Sequence, residues 1–126
     1  MVFAIGGLVA LGYGAQRYAK IVEESKQPQM SVEKTLDRFI EVRRGLRRLV
    51  DQWGDGPGDR RAMRSARGRG LLLHQIDAES YAATRVRYRN WLAGRLPAGD
   101  PVAIAFERRR ADLAQADLGR YESLDF

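Results

Sequence analysis

Hydrophobic and charged positions are distributed in two regimes that meet at residue 16. Met1 to Gln16 (MVFAIGGLVALGYGAQ) holds no charged side chain, and all 22 basic and 16 acidic residues follow it. An uncharged end of this kind suits an apolar surrounding, either a bilayer or the inside of another protein. Sixteen helical residues rise about 24 Å, short of the roughly 30 Å of a bilayer core. Extension to Tyr18 or Ile21 closes the gap, with Arg17 and Lys20 snorkelling to headgroups and Tyr13 and Tyr18 at the interface. Gly6, Ala10 and Gly14 fall at i, i+4 and i+8 and offer one narrow face for close packing of another membrane helix. The expectation is an N-terminal transmembrane helix within a segment of residues 1–26. The competing readings are an apolar arm buried in protein and a cleaved or disordered leader. A secretory signal lacks its basic n-region here, and a transit peptide lacks its arginines and serines. Arg17, Lys20, Lys26 and Lys34 follow the apolar segment, so a spanning helix would leave the C-terminal body on the cytoplasmic or mitochondrial matrix side.

From residue 27 onward the apolar spacing is helical and no stretch alternates as a strand does, which predicts an all-α body over 27–126. Ser31 is an N-cap with Glu33 in the first turn. Val32, Leu36, Phe39, Leu46, Val50 and Trp53 follow a 4-3-7-4-3 spacing, and Arg43 stands at the missing central position. This heptad-like seam predicts a helix over about 31–53 packed on a partner helix, with Ile40, Val42 and Leu49 widening the stripe. Arg43 is expected to snorkel past the seam. Arg47 and Asp51 form an i,i+4 pair on the solvent side.

Gly54-Asp55-Gly56-Pro57-Gly58 stops that helix. With Gly68 and Gly70 beyond it, residues 54–70 are expected to be an Arg/Gly loop. A second helix is expected over 71–94, with Leu71, His74, Ala78, Tyr81, Arg85, Tyr88 and Leu92 on one face and Trp91 beside it. Gly94 and Pro97 end it. Tyr81 and Tyr88 belong to a helix–helix seam. His74, the one histidine, is a packing or edge residue. Asp100-Pro101 starts a third helix, expected to run to Leu118 through Val102, Ala105, Phe106, Leu113 and Ala116. Arg108, Arg109 and Arg110 interrupt its stripe, with Asp112 and Asp117 as candidate partners. The tail from Tyr121 to Phe126 is a docking strap or a fraying end. Stripes interrupted by Arg43, Arg85 and Arg109 predict three amphipathic helices with no large independent core, ordered within an assembly.

Charge narrows the candidate chemistry. Residues 27–59 carry six bases and six acids, and residues 70–126 carry eight of each. Of the formal charge of +6, five units therefore fall between Arg60 and Arg69. Arg60, Arg61, Arg64, Arg67 and Arg69 either form a solvated loop or suit anionic headgroups, an acidic patch on a protein partner or, less well, nucleic acid. Neither a Walker loop nor a dinucleotide fingerprint is present. The absence of cysteine excludes disulfides and thiolate metal sites. With scattered acids, five serines and one histidine, no nucleophile–base pair is expected. No enzyme activity, cofactor, metal or small-molecule substrate is anticipated.

Two functions from different classes fit these observations. The first is a non-catalytic accessory subunit of a large membrane complex, anchored by one N-terminal helix and scaffolding other subunits at the cytoplasmic or matrix face. The second is a structural component of a nucleoprotein particle, a virion internal or ejection protein or a ribosomal-type protein, with its apolar arm buried in protein.

Overall fold

The computed structural model describes residues 30–126, and the chain divides into the units Met1–Met30 and Ser31–Phe126. The expected membrane helix, with Gly6, Ala10 and Gly14, lies outside the described residues. Among the described residues all regular structure is helical, and no helix is long and apolar enough to cross a membrane.

The first helix, α1, is Val32–Trp53. Ser31 caps it as expected, its hydroxyl accepting from the Lys34 N–H at 3.1 Å. Leu36, Phe39, Ile40, Val42 and Leu46 are buried along its stripe, Val50 and Trp53 pack at the edge, and Val32 is exposed. Gly54, at φ 55°, turns the chain out, and its N–H bonds the Asp51 carbonyl.

The expected Arg/Gly loop is largely a helix. α2 spans Arg60–Leu73, so the irregular linker is confined to residues 54–59. Asp59 starts α2 by accepting from the N–H groups of Arg61 and Ala62 at 2.9 and 3.2 Å. Its glycines do not break it. Gly70 lies against α1, where an added Cβ would sit 3.2 Å from Val42 Cγ1, and Met63 and Ala66 pack in the same direction. Gly68 faces open space. Composition alone does not separate a glycine that permits close helix approach from one that marks a loop.

The expected helix over 71–94 is divided. α2 ends at Leu73, Gln75 takes a positive φ of 55°, and buried Ile76 anchors the turn. Asp77 then caps α3, Ala78–Leu92, accepting from the Ser80 N–H at 2.9 Å and its hydroxyl at 2.7 Å. The Asp77-x-x-Ser80 pairing was the local signal for this restart. Gly94, at φ 73°, ends α3 as expected. The third predicted helix is also divided, into α4, Pro101–Arg108, and α5, Arg110–Gln115. The break falls at Arg109 (φ −108°, ψ 20°). A 3₁₀ turn, Gly119–Tyr121, follows.

α1 is the central element and contacts α2, α3, α4 and α5, while α3 and α4 pack on each other. Phe39 of α1 meets Tyr81 and Tyr88 of α3 at ring distances of 5.1 and 6.0 Å, and Tyr88 meets Phe106 of α4 at 5.9 Å. Met63, Leu113, Leu118, Tyr121 and Phe126 complete one buried cluster. Each fully buried large apolar side chain contributes about 2 kcal/mol. The expectation of narrow stripes with no substantial core is thereby corrected. The interrupting arginines are absorbed by acids: Arg85 pairs with Asp125, and Arg109 with its near neighbour Asp112 and with Asp37 of α1. The two distant partners, Asp125 and Asp37, are invisible to periodicity.

The linker is also seated. Gly58 passes beneath Tyr121 and Trp53, where an added Cβ would overlap the tyrosine hydroxyl and come within 2.8 Å of the indole. Arg120 donates to the Gly56 carbonyl from the other side.

Gly68 tests whether α2 is a helix in solution. Gly68→Ala meets no neighbour and should stabilise the protein by about 1 kcal/mol, measured by urea unfolding. A loss of stability would place Gly68 in a conformation that alanine cannot adopt, and so outside a helix.

Candidate functional site: an arginine-lined helix above a buried ion pair

Arg43 is the largest fully buried side chain of the domain, with 0% of its surface exposed. The snorkelling expected of it does not occur, because α3 and the C-terminal tail close over its position on α1. Its guanidinium lies 5.4 and 5.0 Å from the ring centres of Phe39 and Tyr88. Its Nη2 donates to Glu122 Oε2, which also accepts from the Leu118 N–H at 2.6 Å. Nε has no protein partner. Burial pushes the hydroxyls of Tyr81 and Tyr88 above their usual pKa, and the Arg43 charge opposes that shift. Both tyrosines of the predicted seam thus serve an internal packing interface.

The tail is a strap, one of the two outcomes left open by the sequence. Phe126 and Tyr121 are buried, and Tyr81 donates its hydroxyl to the Phe126 carbonyl. Arg89 of α3 donates to the carbonyls of Glu122 and Leu124 at 2.6 and 3.0 Å. Arg67 of α2 donates to the Asp125 carbonyl and lies over the Phe126 ring at 5.8 Å. Nothing in the sequence marks Glu122 and Asp125 as arginine partners. A tail of this length carries no periodic signal.

At the α1–α4–α5 edge, charges are matched within the domain. Arg108 meets Glu33 at 3.2 Å, Arg44 meets Asp112 at 3.1 Å, and Arg109 meets Asp112 at 2.8 Å and also Asp37. Asp112 is thus a partner for the Arg108–Arg110 run, as expected. Asp117 instead accepts from the Gly119 N–H. The predicted Arg47–Asp51 pair is present at 2.9 Å.

α2 differs from its surroundings. It contains no acidic residue between Arg60 and Leu73. Arg60, Arg61 and Arg64 have no hydrogen-bond or carboxylate partner among the described residues, and Arg69 reaches only the Ser65 hydroxyl at 2.7 Å. Arg48 and Arg87 are likewise without one, but each stands singly on another helix. Of the five predicted arginines, Arg67 is turned inward to the tail and the other four are exposed. Helix geometry places Arg61, Arg64, Ser65, Gly68, Arg69 and Leu72 on the outer arc, opposite Met63 and Gly70. Leu72 and the adjacent Leu73 are 82% and 75% exposed, the highest values among the exposed large hydrophobic residues.

A separate open groove of about 680 Å³ lies between the end of α3 and α4, lined in part by Trp91, Leu96, Ala103 and Ile104. Its rim is internally neutralised. Trp91 donates to Glu107 at 2.9 Å, and Arg110 pairs with Glu107 at 2.6 Å and lies over the Trp91 ring. Among the described residues no three potential metal ligands converge. His74 caps the end of α2.

No family model matches the chain, and neither a curated protein nor a solved structure does so.

Two outcomes are expected from these charges. Glu122→Gln leaves a buried guanidinium without its counter-charge and should cost about 3 kcal/mol in urea unfolding. Adding Arg43→Met should recover more than half of that loss, because the buried charge goes with it. The second outcome concerns acid. Hydrogen bonds from Ser80, Arg110 and Arg109 hold the carboxyls of Asp77, Glu107 and Asp112, respectively, below their usual range. Their stabilisation is fully present above the unfolded carboxylate pKa of about 4 and is lost as pH falls through the lower folded values. The urea midpoint should therefore fall on acidification below that point, and fall less in Asp112→Asn.

Proposed function

We propose that this protein is a non-catalytic accessory subunit of a large membrane complex, anchored by its N-terminal apolar segment and scaffolding partner subunits through its helical domain. The observation that carries the reading is the junction between a sixteen-residue segment without charged side chains and a charged domain that closes its own core. The uncharged N-terminal residues suit a bilayer or the faces of other membrane helices. Gly6, Ala10 and Gly14 supply the small-residue face for such helices. Exposed Val86, Leu92 and Ile104 on α3 and α4 offer apolar contacts to protein partners. The basic residues Arg17, Lys20, Lys26 and Lys34 favour a domain on the cytoplasmic or matrix side.

The second reading, a component of a nucleoprotein particle, rests on the arginines of α2. One comparison separates the two. Membranes carrying the full chain, or a form lacking residues 2–19, are extracted with alkaline carbonate. Retention of the full chain alone is expected. Release of both forms would overturn the anchor and leave the nucleoprotein reading in its place.

A further inference from the structure

We propose that the outer face of α2 rests on an anionic bilayer surface, with Arg61, Arg64 and Arg69 at lipid phosphates and Leu72 entering the acyl boundary. The proposal deepens the membrane reading; three observations carry it, and the third decides for lipid over nucleic acid.

The first is charge. The rest of the domain balances its acids and bases, whereas α2 concentrates an excess of five positive charges with no acid among them. A guanidinium without a carboxylate keeps its paired donors available to phosphate oxygens. Each arginine near an anionic membrane surface contributes about 1 kcal/mol, so three change the docking equilibrium about 100-fold.

The second is shape. Fourteen residues give a rod of about 21 Å. Its inner side, at Met63 and Gly70, is committed to α1, and Leu72 on its outer side is exposed. Arg67 is drawn away to the tail, which leaves Arg61, Arg64 and Arg69 around the open centre at Gly68. An interfacial helix lies in the membrane plane in this manner, its charged residues at headgroup level.

The third is the pair Leu72 and Leu73. Exposed leucines are disfavoured in water and favoured in the acyl region, and a phosphate backbone offers them nothing. α2 has no aromatic residue on which a base could stack. The same helix thus carries what a lipid surface rewards and lacks what single-stranded nucleic acid requires.

The chain has no cysteine, so one introduced thiol reports on one place. Leu72→Cys and Ile104→Cys, the latter on α4, are made in the full chain and labelled with an environment-sensitive fluorophore. Each is mixed with phosphatidylcholine vesicles, with and without phosphatidylglycerol. The label at 72 should shift to the blue only with phosphatidylglycerol, and the label at 104 should not shift. Combined Arg61→Gln, Arg64→Gln and Arg69→Gln should abolish the shift. So should 1 M salt, which shortens the screening length from about 10 Å to about 3 Å. A label at 72 that ignores the anionic lipid overturns the proposal, as does an equal shift at both positions. If the vesicles give no shift but RNA binds the chain and loses it with the triple change, the face belongs to nucleic acid. Anchoring is read separately, by flotation with neutral vesicles that depends on residues 2–19. Loss of that flotation with a persistent shift at 72 would remove the anchor and leave the α2 surface standing.

Discussion

The fold depends on how a guanidinium is kept in the centre of a hydrophobic seam. Arg43 occupies the position of α1 where a heptad pattern calls for an apolar side chain. A charge there is tolerable only with a counter-charge and aromatic faces around it. Glu122 supplies the first, and Phe39 and Tyr88 supply the second. Meeting that requirement draws the tail across α1 and α3, and the tail buries Tyr121 and Phe126 as it goes. The Arg43–Glu122 pair therefore couples an early helix to the last residues of the chain. A pair of this kind adds little net stability over an apolar contact, but it rejects arrangements in which the tail is elsewhere.

The same logic distinguishes structural from available arginines. On α1, α3, α4 and α5, most guanidinium groups are held by carboxylates or carbonyls brought from distant segments. Arg44, Arg85, Arg89, Arg108 and Arg109 are tied in this way. Such contacts join elements, and exposed pairs add little to stability. α2 uses one of its five arginines for the tail and leaves the others outward. Among the described residues no carboxylate neutralises this excess of positive charge. The proposed lipid surface rests on that charge and on the exposed leucines beside it.

Small residues decide how closely the elements approach. Gly70 lets α2 settle onto Val42, and Gly58 lets the linker pass under Tyr121. Both lie in a stretch whose glycines and arginines resemble an irregular loop when counted. The capping residues Asp59 and Asp77 mark the true helix starts, because each offers a carboxylate to free N–H groups of the following turn. At Ser31, Gly54, Gly94 and Asp100 a cap or a turn glycine makes the helix boundary legible. In residues 54–70 the glycine content obscures the cap at Asp59.

Local chemistry by itself determined the all-helical class, the long first helix with its Leu36, Phe39 and Leu46 seam, and the concentration of charge between Arg60 and Arg69. Those properties depend on residues within a few turns of one another, and periodicity, capping and charge counting operate at that range. The depth of Arg43, its pairing with Glu122, the tail as a strap and the outward face of α2 were decided by tertiary structure alone. Each depends on groups tens of residues apart, whose meeting is set by which helix faces are buried together rather than by any local preference.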